Sequence, residues 1–303
     1  MMGFLNINKP PGPTSHDMVY MVRRSVPRGV KVGHAGTLDP FAQGVLVVCL
    51  GGACRLVDLV MGQPKRYQAV IRLGAVSDTE DPTGVITPGP ADAPPPDETR
   101  VRETLARFVG TIQQVPPNHS AIFVEGKRAY KIARSGGELS LPARPVTIHS
   151  IDVLSYAWPD LTIDVACGSG TYIRSLARDI GAALGCGGYC QALTRTAVGE
   201  FTLASAVSME TLRPNQDVIS PLTAVATMPQ VRITPDQIPH LLLGRRLIIT
   251  PDQHVSRAVA QVGPANELAI LGPEGGVMAM GYLMADGRVQ PSKVIVEVPK
   301  KAT

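Results

Sequence analysis

Residues 44–50, Gly-Val-Leu-Val-Val-Cys-Leu, run without one polar side chain. The run is far shorter than the roughly 20 residues a membrane-spanning helix needs. Short and rich in β-branched residues, it reads as a strand, and with no polar face that strand must be covered on both sides. A chain built around it is therefore layered, with a sheet packed against other elements on each face. At 303 residues there is material for a full core, more naturally two domains than one. Hydrophobic residues at 44% and charged residues at 18% exclude global disorder.

Other segments fall into place around this strand. Thr14 or Ser15 can cap a helix whose apolar residues Met18, Val19, Val22 and Val26 recur at helical spacing until Pro27 and Gly29 end it. Residues 55–61 read as a helix closed by Gly62-Gln63-Pro64, and 99–109 as another with Val101, Leu105 and Phe108 on one side. Tyr67, Ala69, Ile71 and Leu73 alternate as a strand does, and so do Leu161, Ile163, Val165 and Cys167. The second of these runs into Gly168-Ser169-Gly170 and a helix carrying Ile173, Leu176, Ile180 and Leu184, with Thr171 its expected N-cap. Five prolines between 88 and 97 predict an irregular surface loop. Met228-Pro229-Gln230 marks the domain boundary. Beyond it lies a small, mostly β module with a helix closed by Gly244 and an Asp286-Gly287 turn joining strands 277–283 and 294–298.

The octet before the apolar run is Gly33-His34-Ala35-Gly36-Thr37-Leu38-Asp39-Pro40. Its glycines permit backbone angles closed to other residues and let a bulky ligand approach. Pro40 keeps Asp39 out of the helical region, so a carboxylate sits on a stiff, extended or turn-like segment. Nucleophilic or general-base chemistry on a large substrate needs such a group. Two plainer readings compete: Asp39-Pro40 as the cap and first residue of a helix, and residues 33–36 as a backbone-gripping GXXG loop.

The net charge is only +4, but its distribution is uneven. Residues 18–38 contain no acid and carry Arg23, Arg24, Arg28 and Lys31. Residues 126–137 are likewise acid-free, with Lys127, Arg128, Lys131 and Arg134 at helical spacing. Both stretches suit a polyanion, or are solvated helix faces. The five cysteines form no CxxC pair and no histidine pair completes a zinc site, so they read as reduced and structural. Asn6, Asn8, Lys9 and Pro10-Pro11-Gly12 break up what would be a signal peptide, which leads us to expect a cytoplasmic protein without a membrane partner. Arg174 falls in the first turn of its helix, where the dipole disfavours a cation, and its fork suits Asp39 or a phosphate. Tyr67 follows the basic pair Lys65-Arg66.

Together these residues resemble the bacterial tRNA pseudouridine-55 synthases, the TruB-type family, over nearly the whole chain. The motifs that carry the resemblance are Asn8-Lys9-Pro10-Pro11-Gly12-Pro13-Thr14-Ser15, the octet with Phe41-Ala42-Gln43-Gly44, and Lys65-Arg66-Tyr67. They continue with Leu73-Gly74, Asp78-Thr79-Glu80-Asp81, Pro116-Pro117 with Ser120-Ala121, and Gly126-Lys127-Arg128-Ala129-Tyr130. Gly170-Thr171-Tyr172-Ile173-Arg174 and Leu193-Thr194-Arg195-Thr196 complete the series. The resemblance implies an α+β fold: a large mixed, mainly antiparallel β-sheet catalytic core with flanking helices, an RNA-clasping insertion, and a small C-terminal β-rich PUA-like RNA-binding domain. It assigns residues 1–228 to the catalytic domain, including a basic insertion at about 116–147, and 229–303 to the PUA-like domain. Asp39 would be the catalytic aspartate, Tyr67 would stack on the target base and handle a proton, and Arg174 would pair with Asp39. His34 would fill the place of a flipped uridine in the T-loop, and Leu193 would line the pocket. Lys65 and Arg66, with Lys127, Arg128, Lys131 and Arg134 of the insertion, would contact RNA. His119 stands where many relatives carry an aromatic residue.

The implied reaction suits the residues. Uridine isomerisation breaks N1–C1′ and makes C5–C1′ with no exchange of electrons or groups, so no cofactor or metal is expected, and the sequence carries no P-loop, dinucleotide fingerprint or zinc spacing. The expected partner is the T-arm of tRNA, bound by a monomer with no obligatory protein partner. Two rivals remain. One is an RNA-guided pseudouridine synthase, against which the basic insertion argues. The other is a non-catalytic RNA-binding factor, against which the joint presence of Asp39, Tyr67 and Arg174 argues.

Overall fold

The computed structural model of the chain describes residues 1–90, 94–120, 132, 141–255 and 267–296, with the backbone of 123–124 and 127–128. The elements of the first part are β1 (Gly3–Lys9), α1 (Ser15–Ser25), β2 (Val32–His34), β3 (Gln43–Leu50), α2 (Val57–Gly62) and β4 (Lys65–Leu73). There follow the hairpin β5 (Ala75–Ser77) and β6 (Ile86–Pro88), then α3 (Glu98–Ala106), β7 (Gly110–Gln114), and the hairpin β8 (Phe123–Val124) and β9 (Lys127–Arg128). β10 (Arg144–Ala157), β11 (Asp160–Cys167), α4 (Ile173–Leu184), β12 (Gly188–Val198) and β13 (Phe201–Thr202) complete the large sheet.

That sheet runs β1-β3-β12-β4-β11-β10-β7, with β2 added on β3 and β13 on β12. All its pairings are antiparallel except β3 with β12. The apolar run behaves as its composition requires. Leu46, Val48 and Leu50 face Met18, Val19 and Val22 of α1, while Val45, Val47 and Cys49 face Leu56 and Val60 on the other side. α1 is nucleated by a capping box in which the Thr14 hydroxyl accepts from Asp17 N at 3.1 Å and Asp17 Oδ2 accepts from Thr14 N at 2.8 Å. α4 lays Ile173, Leu176, Ala177, Ile180 and Leu184 against the alternating residues of β4 and β11 and against Val101 and Leu105 of α3.

The C-terminal part holds β14 (Gln230–Arg232), β15 (Leu247–Ile248), β16 (Glu267–Leu271), β17 (Val277–Leu283) and β18 (Arg288–Val294), in the order β14-β16-β17-β18-β15. It does not stand apart. Ala269, Leu271, Val277, Met280 and Ile295 share one buried cluster with Phe4, Val47, Leu56 and Val60. β1 is also tied down from far along the chain: Phe4 and Ile219 exchange backbone hydrogen bonds at 2.9 and 2.8 Å, and Asn8 N donates to Val207 O at 2.8 Å. The fold is therefore α+β, with a large, mainly antiparallel sheet, flanking helices and a small β-rich C-terminal part.

Several expectations need correction. α3 stops at Ala106, because Arg107 N and Phe108 N tighten onto Thr104 and Leu105 carbonyls and end the α-type ladder. Pro88 is the last residue of β6, paired with Ala75, so irregular chain begins after it. β18 starts directly after Gly287, not at 294, since Asp286 Oδ1 caps Arg288 N at 3.0 Å and closes a tight turn. Its polar Arg288, Gln290 and Ser292 hid it from an apolar scan. Lys127 and Arg128 lie on a strand paired with Phe123–Val124, not on a helix; Lys131 and Arg134 lie outside the described residues. No helix among the described residues is long and apolar enough to cross a membrane.

Candidate active site

The octet is built by backbone before any side chain is considered. β2 ends at His34, Gly36 takes φ +101°, and the chain turns at residues 39–42 straight into β3. No helix follows Asp39, so its carboxylate is not used as a cap. Ser15, buried at the start of α1, clamps Leu38 twice: its hydroxyl accepts from Leu38 N at 2.8 Å and donates to Leu38 O at 3.0 Å. Next door, Pro40 O accepts from Gly12 N at 2.8 Å and from the ammonium of buried Lys9 at 3.3 Å. The carboxylate is thus carried on a segment fixed from two sides.

Arg174 reaches it from α4. The expected cap is corrected: Tyr172 is the N-cap, without a side-chain cap bond, and the Thr171 hydroxyl donates to Gly168 O at 3.2 Å. Arg174 is only 3% exposed. Its Nη2 donates to Asp39 Oδ1 at 3.2 Å, and Nε lies 2.9 Å from Oδ2, close but out of hydrogen-bond line. Nη1 donates to Asp81 Oδ2 at 3.3 Å and Thr79 O at 3.0 Å, and Nη2 also to His119 O at 3.0 Å. Two carboxylates and two carbonyls offset a cation that the helix dipole would repel. His119 contributes its carbonyl to this set, which any residue there could supply.

Tyr67 opens the buried face of β4, directly opposite Val165 of β11 and Arg195 of β12. Leu193, two residues before Arg195, falls on the same face of β12. Asp39, Arg174, Tyr67, Leu193, Lys65 and Arg195 line one cavity of about 360 Å³, within the roughly 300–1,000 Å³ of small-ligand sites. Lys65 anchors itself, its ammonium donating to Gln63 O at 2.7 Å and to Met61 O. His34 and Arg66 are not among the residues lining the cavity. His34 is half-buried at the end of β2, with Nδ1 lacking a hydrogen-bond partner. Arg66 is exposed and paired with Asp164 at 2.5 Å. Among the described residues no group of three His, Cys, Asp or Glu is placed to hold a metal.

A family model described as TruB family pseudouridylate synthase (N terminal domain) matches residues 23–173. A second, tRNA pseudouridylate synthase B C-terminal domain, matches 174–221. The tRNA pseudouridine synthase B of Microcystis aeruginosa is 43% identical over 256 residues, covering 82% of this chain and 86% of that one. That of an Arthrobacter species is 40% identical over 306 residues, covering 99% and 97%. The chain belongs to the TruB family of pseudouridylate synthases. Among solved structures, that of a Cbf5-Nop10-Gar1 complex superposes with a TM-score of 0.72 at 25% identity, over 97% of this chain and 85% of the other.

The electrostatics suit a TruB-family cavity. Burial pushes the Asp39 carboxyl above its ordinary range; Arg174 pulls it back and the nearby Asp81 carboxylate adds to the rise. Burial likewise raises the Tyr67 phenol, opposed by the nearby Arg195 cation. Burial lowers the His34 imidazole, and the Arg195 cation adds to that shift, favouring a neutral ring. Asp81 and Arg195 stand within the motifs of the sequence, but sequence reasoning gave them no role. Both are buried charges, and a buried charge requires a partner. A charged residue inside a family motif was the signal that could have found them.

Proposed function

We propose that this TruB-family protein isomerises uridine 55 in the T-loop of tRNA to pseudouridine, with Asp39 as the essential carboxylate. What carries the reading is the Arg174–Asp39 pair on the wall of a cavity of about 360 Å³ that Tyr67 and Leu193 also line. The target base must leave its stack to reach Asp39, at a cost of a few kcal/mol. Tyr67 offers a ring to stack on, and Leu193 an apolar wall. Arg174 keeps the carboxylate aimed and helps it stay ionised, as either a nucleophilic or a proton-removing step requires. The uracil leaves C1′ through N1, turns, and rejoins through C5; the C5 proton is released and N1 regains one. His34, outside the cavity, fills the gap left in the T-loop. Lys65 of the cavity wall and the exposed Arg66 next to it in the chain, with Lys127, Arg128, Lys131 and Arg134 of the insertion at about 116–147, hold the RNA backbone. Residues 1–228 form the catalytic domain and 229–303 a PUA-like RNA-binding domain, acting as a cytoplasmic monomer.

The test is purified protein with an unmodified tRNA transcript and no added partner, followed by mapping of pseudouridine. Modification at position 55 alone, abolished by Asp39→Asn with tRNA affinity kept within a few-fold, supports the reading. Activity that needs added proteins would place it with assemblies such as the Cbf5-Nop10-Gar1 complex. Near-normal turnover by Asp39→Asn would refute the role of the carboxylate.

A further inference from the structure

Arg195 is 2% exposed, and among the described residues no carboxylate lies within ion-pair distance of it. A buried cation without a counter-charge is costly and needs a reason. Its bonds supply one. Nη2 donates to Gly36 O at 3.1 Å, Nη1 to Thr37 O at 3.2 Å and Nε to Val45 O at 2.7 Å. One planar fork therefore grips the octet just before Asp39 and the start of β3 after it. The backbone of Arg195 pairs directly opposite Tyr67 across β12 and β4, and both side chains line the same cavity.

The backbone brings β12 close enough for this. A Cβ at Gly44, where φ is +104°, would stand 2.3 Å from Arg195 O and 3.0 Å from its N. Only glycine lets β3 and β12 approach so tightly at the point where Arg195 turns inward.

We propose that Arg195 is the positioning residue that sets the octet and Tyr67 in register with each other: its backbone is paired opposite Tyr67 while its fork holds the octet, which fixes the separation of the Asp39 carboxylate and the Tyr67 ring. This rests on the reading that Asp39 and Tyr67 serve the isomerisation. Arg195 acts on the reaction through the geometry of the groups on either side of it, the octet it grips and the ring it is paired against. Lysine keeps the charge but cannot span the three carbonyls. A displacement of about 1 Å at a reacting group is enough for a hundredfold loss.

The experiment compares wild type with Arg195→Lys, and with Arg195→Met should lysine prevent folding, in single-turnover modification of a tRNA transcript and in tRNA binding. Thermal unfolding confirms that the variant tested is folded. The expected result is a rate about a hundredfold lower, with tRNA affinity within a few-fold. Guanidinium ion at non-denaturing concentration should restore part of the rate to Arg195→Ala. Phenol absorbance, assigned with Tyr67→Phe, should show Tyr67 ionising at higher pH in folded Arg195→Met, which removes the cation, than in wild type, a readout that simple loss of packing would not move in that direction. A folded Arg195→Lys with wild-type rate, or a Tyr67 titration unchanged in folded Arg195→Met, overturns the proposal. Wild type inactive in the same assay would instead overturn the function on which it rests.

Discussion

Asp81 divides its two oxygens between two tasks, so the tasks can be separated by substitution. Oδ1 accepts from the Thr79 hydroxyl at 2.8 Å, from Thr83 N at 2.9 Å and from the Thr83 hydroxyl at 2.5 Å. Oδ2 accepts from Arg174 Nη1 at 3.3 Å. Asp81→Asn can keep its oxygen at the Oδ1 place, preserving the loop and setting an amide against the guanidinium. One buried, charge-assisted hydrogen bond then disappears, costing about 2 kcal/mol. Asp81→Ala removes the acceptor for the three loop donors as well. Thr83 is exposed and water makes good part of that deficit, so the total comes to about 4 kcal/mol. With roughly 2–4 °C of Tm per kcal/mol in a chain of this size, Asn should lower Tm by about 4–8 °C and Ala by roughly twice that. Both should slow single-turnover modification by about tenfold or more, because Arg174 is left without the partner opposite Asp39. Calorimetry and a quench-flow assay on the two variants would check this. If Asn and Ala were equally destabilising, or if Asn left the rate untouched, the division of tasks would be wrong.

Three further outcomes are expected. The Asp39 carboxyl is held above its ordinary 3.8 by burial, so the rate, which needs the carboxylate, should rise with pH through an apparent pKa above 3.8; an acid limb centred at or below that value would contradict the assignment. Gly52→Ala would place a Cβ 1.7 Å from Ile295 O, prising the second sheet from the first at a cost of about 1–3 kcal/mol, visible as faster hydrogen exchange in β16 to β18. Changing Lys127, Arg128, Lys131 and Arg134 to Ala should flatten the slope of log tRNA affinity against log salt by roughly 0.7–0.9 for each phosphate no longer neutralised; an unaltered slope would assign binding to Arg23–Lys31 and the C-terminal sheet.

The elements that sequence alone located are those whose pattern is local. The alternation of β4, the helical spacing of α1 and the apolar run of β3 each record a buried face within one segment, and the structure buries those residues. The Asp39–Arg174 pair was legible because a cation in a first helical turn is out of place unless something answers it. The insertion of β12 between β3 and β4 was not, since strand order depends on segments far apart in the chain. Asp81 and Arg195 went unassigned for the same reason: the carbonyls and guanidinium they meet come from elements 93 and up to 159 residues away. β18 was misplaced because its tight turn leaves no gap between Gly287 and the strand.

The cluster that joins Phe4 and Val47 to Ala269, Leu271 and Ile295 also sets an order of events in the cell. A ribosome releases β1 and β3 long before β16 and β17 exist. Throughout that interval the Phe4 side of the first sheet is covered only in part, by Leu56 and Val60, and the Ile219 strand pairing waits for about two hundred residues of synthesis. The nascent protein must therefore shelter that face, by chaperone or by delayed pairing of β1. Premature termination before β16 would leave that face only partly covered for good, a species fit for degradation or aggregation rather than a smaller enzyme.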